Sequence, residues 1–167
     1  MDSTDNNYFY CVIDRHDGGT ATHASLVDQT DGNHDIGSHD GWYVALEMDD
    51  GERITETALV AAGNVLVTSF APSHDSCIAG GQSWLYRLRY DDGGQAEGTE
   101  DDPNPPRVES LGDGIASHPV IDLASGNVVI QGSDAVLHIE EIGAVYQHLV
   151  VRSWQETFDY VVNPPAE

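Results

Sequence analysis

An all-β fold is what this sequence predicts, and three observations predict it. Short segments rich in Val, Ile, Tyr and Trp recur along the chain, each bounded by turn residues. No stretch of ten or more residues carries convincing helical spacing. A strand–turn–strand unit also occurs twice. In chain order the expected strands are Tyr8 to Ile13, Trp42 to Leu46, Val65 to Phe70, Trp84 to Tyr90, Val128 to Ile130, Val136 to Ile142 and Leu149 to Trp154. Their punctuation is Asp50-Gly51, Gly63-Asn64, Asp92-Gly93-Gly94 and Ser125-Gly126-Asn127. Periodicity leaves Ile54 to Ala62 ambiguous, and its place before a Gly-Asn turn makes a strand the better reading.

The repeat sharpens the architecture. Leu59 to Val67 is echoed by Val120 to Ile130, each reading as strand, Gly-Asn turn, strand, with a third strand after it. The Asn64-Val65 and Asn127-Val128 pairs lie 63 residues apart. Propeller blades repeat at roughly 40 to 50 residues, so one insertion accounts for the excess. The insertion expected is Asp91 to Gly114, acidic, proline-rich and nearly free of apolar residues, hence a mobile loop that buries nothing. A second loop, Asp14 to Gly41, is rich in Gly, Asp, His and Thr. The expectation is therefore two or a few more terminal blades of a propeller over residues 1–162, with loops 14–41 and 91–114 inserted and a flexible tail at 163–167. Two blades close no ring, and their outer strands would present unpaired backbone groups. Three readings stay open: the terminal part of a larger propeller, pairing with another chain, or a small sandwich.

Charge narrows the partners. The 167 residues carry 29 acidic and 6 basic groups, a formal net charge of −23, and every basic residue is arginine. Such a field repels phosphate backbones and anionic lipid, which sets nucleic acid aside, and favours cations, basic proteins or high salt. No apolar run approaches the roughly 18 to 20 residues of a membrane helix, so no membrane span is expected. The segment Met1 to Asn7 lacks the basic and apolar regions of a signal peptide, so the chain reads as cytoplasmic or as a piece of something longer. Cys11 and Cys77 each sit beside apolar neighbours, and buried free thiols are expected over a disulfide.

A set of motifs then carries a resemblance. Leu26-Val27-Asp28-Gln29-Thr30, Gly41-Trp42-Tyr43-Val44-Ala45-Leu46 and Gly51-Glu52-Arg53 are followed by Thr68-Ser69-Phe70-Ala71-Pro72-Ser73, Asp75-Ser76-Cys77 and Gly80-Gly81-Gln82-Ser83-Trp84-Leu85-Tyr86. With Arg152-Ser153-Trp154-Gln155-Glu156 as a closing motif, their order and spacing over about 130 residues resemble the carboxy-terminal propeller of the PilY family, tip-associated proteins of type IV pili. The resemblance implies the last part of a seven-bladed, quinoprotein-like propeller. It implies export to the periplasm and cell surface, and roles in pilus assembly, retraction control and adhesion. Expected partners are then the rest of the parent propeller, minor pilins of the pilus, and a host or surface receptor. Family members often carry a D-x-D-x-D-G calcium loop upstream of the matched part, and no complete copy is present here.

Calcium is the one cofactor the residues themselves raise. Asp31, Asn33 and Asp35 offer oxygens at alternate positions, as an EF-type loop does, with Asp28 and Asp40 flanking. The pattern then breaks, because the sixth position is Ile36 and the twelfth Trp42. The metal candidates are Asp31, Asn33, Asp35 and Asp40, set against a solvated acidic loop as the plainer reading. His34-Asp35, His39-Asp40 and His74-Asp75 resemble the carboxylate–imidazole pairs around zinc, but eight scattered histidines lack ligand spacing. Ser73, His74 and Asp75 cannot chain hydrogen bonds as an acyl-transfer triad, since neighbours on an extended chain point to opposite sides. Gly80-Gly81-Gln82-Ser83-Trp84 has no Lys and opens no helix, so it reads as a bend before a strand and not a phosphate cradle. Trp42, Trp84 and Trp154 are expected to pack between blades, Glu52-Arg53 to pair at a hairpin end, and Arg87 and Arg89 to meet nearby carboxylates. A quinoprotein dehydrogenase needs ligands from several blades, more than this chain supplies, so no enzyme is expected.

Overall fold

The computed structural model describes residues 6–32, 34–74, 80–96, 98–99, 102–122 and 125–142. Eleven strands and a single 3-10 turn build it: β1 (Asn7–Val12), the turn His23–Ser25, β2 (Val27–Asp28), β3 (Gly41–Leu46), β4 (Arg53–Ile54), β5 (Leu59–Ala61), β6 (Asn64–Pro72), β7 (Gly81–Arg89), β8 (Val108–Asp113), β9 (Val120–Ile121), β10 (Asn127–Gln131) and β11 (Leu137–Glu141). The chain is all-β, and the strands of the described residues form three open sheets. The first has the order β1-β3-β2. The central one runs β4-β6-β7-β8, with β5 also on β6, and the third runs β11-β10-β9. Every pairing is antiparallel except the two-residue β2–β3 contact, which is parallel.

The sheets lie face to face because of how β6 and β7 alternate. Val65, Val67 and Ala71 on β6, with Trp84, Tyr86 and Leu88 on β7, point to one side and pack against Trp42, Val44 and Leu46 of β3. Leu66 and Leu85 point to the other side, into a second cluster with Leu111, Val128, Ile130 and Ile142. The central sheet is thus covered on both faces, which is why β6 and β7 read as continuous apolar runs. This layering suits successive propeller blades, and no barrel closes among the described residues. Trp42 is fully buried and donates from Nε1 to the Tyr90 carbonyl at 3.1 Å, and Trp84 joins the same cluster. Both tryptophans therefore pack between sheets as expected, while Trp154 and the strand expected at 149–154 lie outside the described residues.

The repeat is real at the level of topology, with a shift of one position in its first turn. Ala62 and Gly63 hold φ of 51° and 80°, the two left-handed residues of a tight hairpin turn, and Asn64 already pairs with Ala61. The second copy pairs β9 with β10 around Gly126 (φ 79°), and β11 follows as its third strand. The segment Ile54 to Ala62 is not one strand but two, β4 and β5, which dock in succession on β6.

One expectation fails clearly. The stretch from Asp91 to Gly114 is not an insertion that buries nothing. Its last third is β8, paired with β7 from Tyr86↔Val108 to Gln82↔Asp113 with a bulge at Ser83/Trp84. Leu111 and Ala96 are buried. Gly93 (φ 70°) lies so close to Trp42 that a Cβ there would stand 2.6 Å from the indole. Within loop 14–41 the turn His23–Ser25 and β2 likewise provide structure, and Leu26 is buried.

Candidate recognition loops and buried polar sites

The acidic loop is shaped by two residues that its own pattern does not contain. Gln29 is fully buried and spans the loop: its Nε2 donates to the His34 carbonyl at 2.6 Å, and its Oε1 accepts the His34 N–H at 2.9 Å. Arg107, from the other candidate loop, reaches in beside it. Its Nη2 donates to the carbonyls of Gln29 at 2.5 Å and Gly93 at 2.9 Å, and Nη1 donates to that of Thr30 at 3.1 Å. Burial pulls the Arg107 pKa below its ordinary value, while the Asp31 and Asp92 carboxylates act to hold its charge in place. A guanidinium thus gathers backbone carbonyls of both loops, next to Asp31, the first of the acidic candidates.

The four calcium candidates fare differently. Asp31 faces Arg107 electrostatically. Asp35 Oδ1 accepts the Gly37 N–H at 3.0 Å, a local turn contact. Asp40 lies 3.9 Å from the Arg15 guanidinium, and Asn33 is outside the described residues. Among the described residues no group of three or more His, Cys, Asp or Glu side chains is gathered as a metal site requires. Of the His-Asp pairs, Asp75 lies outside the described residues, and two of the histidines meet other groups. His39 Nδ1 lies 2.9 Å from the Ile36 carbonyl, and His74 Nε2 lies 3.1 Å from Asp49 Oδ1, a bond that draws the Asp49 carboxyl below its usual range.

Clamping two loops by one arginine has a measurable consequence. Arg107→Gln is expected to lower stability by about 2 kcal/mol, because three carbonyls lose a charged donor. Thermal or urea unfolding checks this, and a loss under about 0.5 kcal/mol would show that the loops hold without it.

The second polar site is Glu52, which is 1% exposed. Its Oε1 accepts Ser69 Oγ at 2.5 Å and the Tyr86 hydroxyl at 2.8 Å, and its Oε2 accepts the Met48 N–H at 2.8 Å. Burial and the neighbouring carboxylate push the Tyr86 hydroxyl above the tyrosine range, so it remains a donor. The expected Glu52–Arg53 ion pair does not form. Successive residues entering β4 point to opposite sides: Glu52 turns inward, and Arg53 donates from Nε to the Gly51 carbonyl at 3.1 Å.

The arginines of β7 do find carboxylates. Arg87 donates to Glu109 on β8 and to Glu140 on β11, joining the central and third sheets, and Arg89 grips Asp92. Cys11 is a free, half-buried thiol whose Sγ lies 3.5 Å from the Tyr90 carbonyl, burial raising its pKa, and Cys77 is outside the described residues. Gln29 and Glu52 lie in motifs that carry the family resemblance, but nothing in those motifs marks them as buried polar braces, whereas Arg107 stands out as the lone cation in an acidic, proline-rich stretch.

Fold and sites together define an all-β module of stacked open sheets, braced by buried polar contacts, with its loops tied to one another. Among the described residues no helix is long and apolar enough to cross a membrane. No protein-family model, no curated protein and no solved structure matches the chain.

Proposed function

We propose that this chain is a non-enzymatic recognition module, a PilY-like part of a type IV pilus assembly and tip adhesin working at the periplasm and cell surface. One observation carries the reading: among the described residues, nothing covers the outer aliphatic face of the third sheet. Val120, Val129 and Ile139 form a row across β9, β10 and β11, pointing away from the core. Ile139 is 58% exposed, Leu137 beside it 55% and Val120 49%. Monomeric proteins rarely leave such a row open, and a further sheet of the same kind is what it fits. The remainder of a parent propeller would supply that sheet, leaving the tied loops to meet minor pilins or a surface receptor. The motif order along the sequence supports the pilus assignment.

A calcium-responsive module is the alternative raised by Asp31, Asn33, Asp35 and Asp40. The Arg107 clamp tells against it, since the carbonyls of Gln29 and Thr30 already have a cationic partner.

Gene deletion tests the proposal. Cells lacking the gene are expected to lose surface pili and attachment, and complementation with Leu137→Asp/Ile139→Asp should fail although the altered chain folds. Normal piliation and attachment in the deletion strain would overturn the assignment.

A further inference from the structure

The opposite end of the stack presents a different chemistry. On the outer face of the first sheet, Tyr10, Tyr43 and Asp28 form a row across β1, β3 and β2, with Tyr8 beside it. His23, carried by the 3-10 turn, lies over Tyr43 with ring centres 4.3 Å apart. Tyr8 is 5.6 Å from Tyr43 and 5.8 Å from Tyr10, so the four rings form one continuous surface. Tyr8 and Tyr10 are 38% and 45% exposed. The rings are fixed in place: the Tyr43 hydroxyl donates to Asp28 Oδ2 at 3.1 Å, and the Tyr10 hydroxyl pairs with His23 Nδ1 at the same distance.

We propose that this face docks a basic protein segment, an arginine of the partner stacking on the tyrosine rings beside Asp28. Exposed aromatic faces attract a guanidinium through their quadrupole, and a carboxylate bonded to one ring strengthens the pull. The chain's net charge of −23 provides the complementary long-range field. An aliphatic sheet like that required at Val120 and Ile139 would desolvate Asp28 and the Tyr43 hydroxyl without return. Arg53 lines a hollow of about 350 Å³ with Asn7, Tyr8 and Tyr10 at the β1 edge, across the sheet from Asp28. The partner's cation is therefore directed to the Asp28 side. This proposal rests on reading the chain as a recognition module, and it takes the first sheet as the open end of the stack, not packed by a further blade. The two fail separately, because normal piliation sinks that reading and the binding test below sinks only this face.

The test titrates the full chain with the peptide Arg-Gly-Arg-Gly-Arg and its citrulline counterpart, by calorimetry and by tyrosine ring NMR signals. In about 1 M NaCl the screening length falls to about 3 Å, which removes diffuse attraction and leaves ring contacts. The arginine peptide is expected to bind there, shifting Tyr8, Tyr10 and Tyr43 signals, while the citrulline peptide does not. Tyr8→Leu/Tyr10→Leu, which keeps strand-forming apolar residues on an exposed face, should weaken binding about tenfold. Asp28→Asn should weaken it about threefold and serves as an independent variant. Binding that vanishes in high salt, that ignores the tyrosine substitutions, or that the citrulline peptide shares would overturn the proposal. So would a neutral oligosaccharide shifting the same rings where the arginine peptide does not.

Discussion

Glu52→Ala is expected to lower stability by about 4 kcal/mol, the largest effect of any single polar substitution considered for this chain. Three donors converge on that carboxylate from different parts of the fold: Ser69 on β6, Tyr86 on β7, and the Met48 N–H in the connection that leaves β3. Truncation leaves all three in a site only 1% exposed, where an unpaired donor costs about 1 to 3 kcal/mol. It also leaves a void among packed side chains. In a chain of this size the loss corresponds to a fall in Tm on the order of 10 °C. Glu52→Gln separates charge from shape. Its oxygen can still accept from Ser69 and Tyr86, but its amide would face the Met48 N–H donor to donor, so about half the loss should remain. Tyr86→Phe should cost only about 1 kcal/mol, since the other two donors still satisfy the carboxylate. A Glu52→Ala protein melting within about 2 °C of the parent would show that the carboxylate is not what fastens the first sheet to the central one.

That fastening bears on the recognition proposed for the aromatic face. Asn7, at the start of β1, donates from Nδ2 to the Glu52 carbonyl at 2.7 Å, so the strand carrying Tyr8 and Tyr10 is tied to the same residue. A loosened Glu52 would therefore be felt at the aromatic face, whose rings must hold their mutual positions to present a single surface.

What the sequence made legible follows from where each strand lies. Residues of β3, β6 and β7 contact neighbours on two sides, so selection for apolar, β-branched and aromatic types is dense and their positions stand out. Strand β8 was hidden because it is an edge strand: only Val108 and Leu111 are apolar among its six residues, and they lie three apart, off the two-residue rhythm. The two pack on opposite faces of the sheet, Val108 against the first cluster and Leu111 in the second, so neither face of β8 carries an apolar run. The polar sites were hidden for another reason. Gln29 and Arg107 meet across 78 positions, and Glu52 reaches Tyr86 across 34, distances at which local pattern has no hold. Read by adjacency, Glu52 suggested a partner in Arg53, and the alternation of an extended chain forbids it.

Arg87→Met should cost about 3 kcal/mol and should loosen the third sheet in particular. The guanidinium is buried and shared by Glu109 of the central sheet and Glu140 of the third. Methionine keeps much of the packing volume but removes the charge, leaving two carboxylates facing each other across the sheet boundary. Burial already raises the Glu140 pKa, and repulsion from Glu109 and Asp102 adds to this, against the lowering by Arg87 and His138. An acid whose folded pKa lies above its unfolded value binds more protons when folded, so stability falls as pH rises between the two values. In the parent chain this contribution is present below the ordinary glutamate pKa and lost as pH climbs through the raised one. Removing Arg87 raises the Glu140 pKa further, so the declining limb should extend to higher pH, and Glu140→Gln in the same background should flatten it. Hydrogen exchange supplies the local readout: amides of β10 and β11 should lose protection in Arg87→Met while those of β3 keep theirs. Equal loss across all three sheets would mean that Arg87 supports the whole fold and does not specifically join the third sheet, the one whose exposed aliphatic face is proposed to meet a neighbour.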